Sequence, residues 1–157
     1  MDEKTILNLA NSLNPSLRPI KDMDNFAENL GFKIHYKRFT GDLSGVAALL
    51  HYPLKNIYVN DSDSYKEQRF SIAHEIGHYY MHMKDMKDED CIISHRKSDE
   101  ETISEREIER EKEADLFACY LLAPKNTVNI FKSLGYSPLQ LSDKFGVSKE
   151  KILSVLD

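Results

Sequence analysis

His74-Glu75-Ile76-Gly77-His78 sets two imidazoles four residues apart with a carboxylate between them. On a helix that spacing is slightly more than one turn, so both rings stand on one face and can reach one metal ion. Glu75 points beside that ion, where it can take a proton from a bound water. The chemistry this arrangement suits is metal-assisted hydrolysis. Zn²⁺ takes four ligands and a catalytic site reserves one position for water, so a third protein ligand is needed.

A histidine six residues after His78 would complete a metzincin pattern, but Lys84 stands there. The remaining source is a carboxylate from a downstream helix, for which Glu107, Glu109, Glu111 and Glu113 compete. Glu111 is preferred because Asp115 follows one turn later on the same face and could accept the outer N–H of a ligating histidine. Glu113, directly before Ala114, is the rival third ligand. Glu105, Glu107 and Glu109 read as a solvated face. His82 extends the His74-His78 stripe by a turn and could orient a ligand, touch substrate or simply pack. The alternative to a metal site is a surface helix that happens to carry histidines. Two features oppose it: the apolar lead-in Phe70-Ser71-Ile72-Ala73, and Gly77, which costs about 1 kcal/mol in mid-helix unless close packing requires it.

The elements that must position these groups follow from periodicity. Ile6, Leu7 and Ala10 predict a first helix that stops at Asn14-Pro15, and Asp22 or Asp24 could cap a second that ends at Gly31. Phe32 to Tyr36 alternates at period two, and Gly45 to His51 and Asn56 to Asn60 are two further strands joined by a turn over 52–55. From Tyr65 the period becomes helical, with Ile72, Ala73, Ile76 and Tyr80 on one face. A second long helix spans about Glu105 to Leu122, and Val128, Ile130 and Phe131 mark a third that ends at Gly135. The expectation is an α+β fold: a small three-stranded antiparallel sheet packed against a helical bundle that carries the active-site helix. Residues 85–104 are read as a charged insertion loop. Residues 137–157 are read as a helical, helix-turn-helix-like tail.

The chain has 157 residues, 41% hydrophobic and 30% charged, which suits a single domain over 1–157 with one core. No apolar run approaches the roughly 20 residues of a membrane span, and Met1-Asp2-Glu3-Lys4 does not open a secretory signal. Cys91 and Cys119 lie in dissimilar settings, so a disulfide is disfavoured and a cytoplasmic location is expected. The net charge of −5 speaks against broad nucleic-acid affinity but leaves the question open, and the tail's composition disfavours direct nucleic-acid binding. In the tail, Lys144, Lys149 and Lys151 are diluted by Asp143 and Glu150.

Two segments together resemble the ImmA/IrrE family of bacterial and phage zinc metallopeptidases. They are Arg69 to His82 and Glu111-Lys112-Glu113-Ala114-Asp115-Leu116-Phe117-Ala118 through Leu121-Leu122-Ala123-Pro124. The second matches the family's E-x-x-A-N/D-x-F-A…L-L-x-P segment, with Glu111 at the third-ligand position. The opening, the Gly45 to Asn60 hairpin and the Phe145-Gly146-Val147-Ser148 end are similar too, and only about 85–104 looks private to this chain. The resemblance implies a gluzincin-like zincin fold, Zn²⁺ on His74, His78 and Glu111, and Glu75 as the base. It also implies an intracellular endopeptidase, often on a phage or mobile element, that cuts a helix-turn-helix repressor and so relieves repression. The competing expectation is a non-hydrolytic, zinc-containing regulator that acts by binding a repressor or DNA.

Overall fold

The computed structural model describes residues 1–83, the backbone of 91–95, and 104–156. Helices α1 (Glu3–Leu13) and α2 (Met23–Asn29) come first, capped by Asp2 and Asp22, whose carboxylates accept from Thr5 N and Asn25 N. Strands β1 (Lys33–Lys37), β2 (Val46–His51) and β3 (Asn56–Asn60) follow, then α3 (Tyr65–His82). After β4 (Cys91–His95) the chain is helical: α4 (Glu105–Leu122), α5 (Lys125–Ser133), α6 (Pro138–Phe145) and α7 (Lys149–Val155).

The sheet corrects the expected antiparallel arrangement. Its order among the described residues is β1-β3-β2-β4, with β2 antiparallel to both neighbours and β1 parallel to β3. The β2–β3 hairpin folds β3 into the slot beside β1, which makes the sheet mixed. Period-two alternation shows which face of a strand is buried but carries no information about strand direction. In β2, for instance, Val46, Ala48 and Leu50 are buried and the residues between them are only partly covered.

Part of the expected insertion loop is also strand, since Cys91–His95 pairs with β2. Cys91-Ile92-Ile93 is the segment's one apolar patch, too short among charges to read as a strand from sequence. Residues 85–90 and 96–103 lie outside the described residues.

α3 is covered on several sides, by β2, β3, α2 and α4. Its start is tied to the sheet through Asn60, which is buried at the end of β3. The Asn60 amide donates to Val46 O at 2.9 Å, and Gln68 Nε2 donates to Asn60 O at 3.1 Å. Ser64 caps the helix by accepting from Glu67 N.

The core joins Phe32, Ile57, Ile72, Ile76, Phe117 and Leu121 to tail residues Leu141, Phe145, Ile152 and Val155. The tail is held to the start of α3 by two cations. Lys66 Nζ reaches Ser142 Oγ and Asp143 Oδ1 at 2.9 and 2.8 Å. Arg69 donates to Gly146 O at 3.1 Å and Phe145 O at 3.2 Å. No helix among the described residues is long and apolar enough to cross a membrane.

Candidate metal centre

The centre lies where α3 and α4 pack. The approach is close because Gly77 has no side chain: a Cβ there would stand 2.7 Å from Phe117 Cδ1 on α4. With the two backbones this near, Glu111 reaches across to the histidine stripe. His74 Nε2 is 3.0 Å from Glu111 Oε2, His78 Nε2 is 2.9 Å from Glu111 Oε1, and the two Nε2 atoms are 3.0 Å apart. Glu75 is fully buried on α3 between the two histidines. His74 and His78 are both buried, and Glu111 is half-buried.

The other ring nitrogens point away from this meeting point to separate partners. His74 Nδ1 lies 2.8 Å from Asp115 Oδ1, one turn beyond Glu111 on α4. His78 Nδ1 lies 2.9 Å from His82 Nδ1, and His82 Nε2 lies 2.7 Å from Glu113 Oε2. Glu113 Oε1 in turn accepts from the Met1 ammonium at 2.6 Å. Glu113, the rival for the third position, therefore faces elsewhere. Two residues along a helix is a rotation of about 200°, so Glu111 and Glu113 cannot share a face. Glu105, Glu107 and Glu109 are exposed.

Electrostatics at the centre favour a cation. Burial alone would depress the His74 pKa, but hydrogen bonds to Asp115 and Glu111 outweigh it and lift the pKa to about 10. Burial likewise opposes charge on Glu111, yet hydrogen bonds from His74 and His78 hold its carboxyl far below the usual carboxylate range. His78 is pushed down, first by burial, with the charge of His74 adding to it against the hydrogen bond of Glu111. His82 is pushed down by burial, against its bond to Glu113. The positive charge that the centre needs is thus a proton on His74 lying between two carboxylates.

These residues fit a metal ion. His74, His78 and Glu111 each offer one atom within 4.8 Å of the others, and no fourth His, Cys, Asp or Glu joins them among the described residues. Two imidazole nitrogens and one carboxylate oxygen form a donor set used by catalytic zinc sites, which keep one position open. Ligand bonds of about 2.0–2.1 Å in tetrahedral geometry put donor atoms about 3.3 Å apart, so the observed spacing needs an outward adjustment of roughly a few tenths of an ångström.

The three-residue link Met1–Glu113–His82 was not visible in the sequence. The i, i+4, i+8 histidine stripe places His82 behind His78, but nothing in its spacing says which carboxylate meets its far nitrogen. The tail anchors Lys66 and Arg69 leave no mark in the sequence either, since their partners lie 76 and 77 residues away.

A family model for peptidases, described as the IrrE N-terminal-like domain, matches residues 27–156. Among solved structures, a Mycobacterium tuberculosis transcriptional regulator is similar with a TM-score of 0.65 and 17% identity, over 95% of this chain and 45% of that one. At that identity the likeness shows the fold alone, and this chain spans less than half the regulator's length. No curated protein matches the chain. With most of its length matched, including both helices that build the centre, the chain belongs to the IrrE N-terminal-like domain family.

Proposed function

We propose that the chain is a zinc-dependent endopeptidase in which His74, His78 and Glu111 hold the metal and Glu75 is the general base. The observation that carries this reading is the convergence of three ligand atoms from two helices, with a buried carboxylate one residue from a ligand. When bound, zinc supplies Lewis acidity, bringing the pKa of water toward about 7 and polarising a peptide carbonyl. Glu75 accepts the proton of the attacking water and returns it to the leaving amine nitrogen, so atoms and charge balance over the cleavage. Asp115 holds the His74 ring in place through Nδ1. The enclosing core limits bulk water around Glu75, which strengthens each electrostatic contact made there.

For substrate, we propose a cytoplasmic protein, specifically a helix-turn-helix repressor, cut to relieve repression. The family supports this. The tail supports a protein partner over DNA, because Leu141, Phe145, Val147, Ile152 and Val155 are spent on the core, Leu139 and Leu153 stay exposed, and Lys151 Nζ sits 4.1 Å from the centre of the Phe70 ring. The rival reading, a regulator that binds a repressor without cutting it, predicts complex formation with no new termini.

The test is Glu75→Gln against wild type, each zinc-loaded and mixed with the candidate repressor. Glu75→Gln should retain the metal and the complex while cleavage is abolished. Equal cleavage by both proteins removes Glu75 from its role, and binding without cleavage by the wild type favours the rival.

A further inference from the structure

The hydrogen bonds behind His78 form a chain whose direction can be worked out by counting donors. An ionised carboxylate only accepts, and a neutral imidazole has one donor nitrogen and one acceptor nitrogen. Glu113 Oε2, 2.7 Å from His82 Nε2, therefore takes its hydrogen bond from a protonated Nε2. Its other oxygen is held by the Met1 ammonium at 2.6 Å, which keeps the carboxylate from turning away. In neutral His82 the remaining nitrogen, Nδ1, must accept. His78 Nδ1 is 2.9 Å from it and can donate to it. A metal on His78 Nε2, which lies 2.9 Å from Glu111 Oε1 and 3.0 Å from His74 Nε2, would take the lone pair of that nitrogen and leave Nδ1–H as the donor to His82.

We propose that Glu113 and His82 are positioning residues that lock His78 in its Nδ1–H form, so that Nε2 presents its lone pair to the metal. The two histidine ligands are then set by two devices: Asp115 acts on His74 directly, and Glu113 acts on His78 through an interposed imidazole. Burial makes the device necessary. His78 and His82 are 1% and 7% exposed, so water has little access to replace a missing partner. The inference rests on the proposed reading that His78 is a ligand.

The test uses the full chain with three variants and two readouts, neither of them cleavage. His82→Leu removes the link, Glu113→Ala removes its anchor, and His82→Gln replaces the imidazole with an amide that can accept from His78 and donate to Glu113. Zinc affinity is measured by chelator competition, and nitrogen-15 NMR of the zinc-loaded wild type reports which His82 nitrogen is protonated. His82→Leu and Glu113→Ala should bind zinc roughly 10- to 100-fold more weakly, while His82→Gln recovers most of the loss. The wild-type His82 should be neutral with its proton on Nε2. A His82 proton on Nδ1 overturns the inference even if a variant fails to fold, and so do variants that bind zinc as tightly as the parent. A wild type that binds no zinc sinks the metal reading itself, an outcome distinct from either of these.

Discussion

Gly77 and Phe117 touch so closely that the glycine cannot carry a side chain without moving the ring: an added Cβ would meet Phe117 Cδ1, Cγ and Cβ at 2.7, 3.1 and 3.3 Å. Phe117 is fully buried and surrounded by core, so it has little room to yield. This contact sets the separation of α3 and α4, and that separation puts Glu111 within reach of both imidazoles.

Gly77→Ala measures this directly. Alanine gains about 1 kcal/mol of helix propensity over glycine, but overpacking a buried contact costs about 1–3 kcal/mol. A net destabilisation on the order of 1 kcal/mol is expected in urea or thermal unfolding of the metal-free chain. Zinc affinity should fall as well, because α4 must shift away from α3. A variant as stable as the parent, with unchanged affinity, would show that the helices are held apart by something other than this glycine.

Asp115 is predicted to act on the metal only through His74, by accepting from Nδ1 at 2.8 Å. Asparagine can still accept there with its amide oxygen, whereas alanine cannot. Asp115→Ala should weaken zinc binding roughly 10- to 100-fold, and Asp115→Asn should lose much less. Chelator competition on the two variants is the measurement. Equal losses would point to the negative charge of Asp115, rather than its hydrogen bond, as the contribution that matters.

The part of this centre that is legible in sequence is the part written in local spacing. His74, His78 and Glu75 lie within one stretch of helix, and Glu111 and Asp115 lie one turn apart on another, so helical geometry alone aligns each group. The strands over 46–51 and 56–60 were equally plain, because alternation and an intervening turn are local signals. Strand direction, the pairing of Cys91–His95 with β2, the Glu113–His82 contact and the Arg69 anchor depend on how distant segments meet. Such contacts leave no periodic mark. Gly77 stands between the two cases: its cost in mid-helix signalled a close approach, but only the packing reveals Phe117 as the partner.

Metal binding should release a proton from His74. Its pKa is raised to about 10, because bonds to Asp115 and Glu111 overcome the effect of burial. In the metal-free chain this raised value contributes stability that is fully present below the unfolded value of about 6.5 and is lost as pH climbs through about 10. A metal must displace that proton from Nε2, so apparent affinity should rise about tenfold per pH unit across the neutral range. Calorimetry at pH 6, below the point at which a zinc-bound water would itself ionise, in two buffers of different ionisation enthalpy should count about one proton released per zinc. No release would mean that His74 is already neutral before the metal arrives.

A buried arginine anchors the tail against the motif helix. Arg69 is 3% exposed, and its guanidinium donates through Nε and Nη2 to Gly146 O and Phe145 O, at the C-terminal end of α6. Gly146 adopts φ +66° there, and a Cβ on it would stand 2.6 Å from Arg69 Nε. Lysine has no planar fork and cannot reproduce both bonds in this geometry. Arg69→Lys should therefore cost about 1–3 kcal/mol, the range for lost bonds to a buried charged group. Gly146→Ala should cost about 1–2 kcal/mol from backbone strain alone, with further loss from displacing Arg69. Because both changes break the same contact, the double variant should lose less stability than the two single losses added together. Strict additivity in urea unfolding would separate the two residues. The tail would then be fastened mainly by Lys66 and by the apolar packing of Leu141, Phe145 and Ile152.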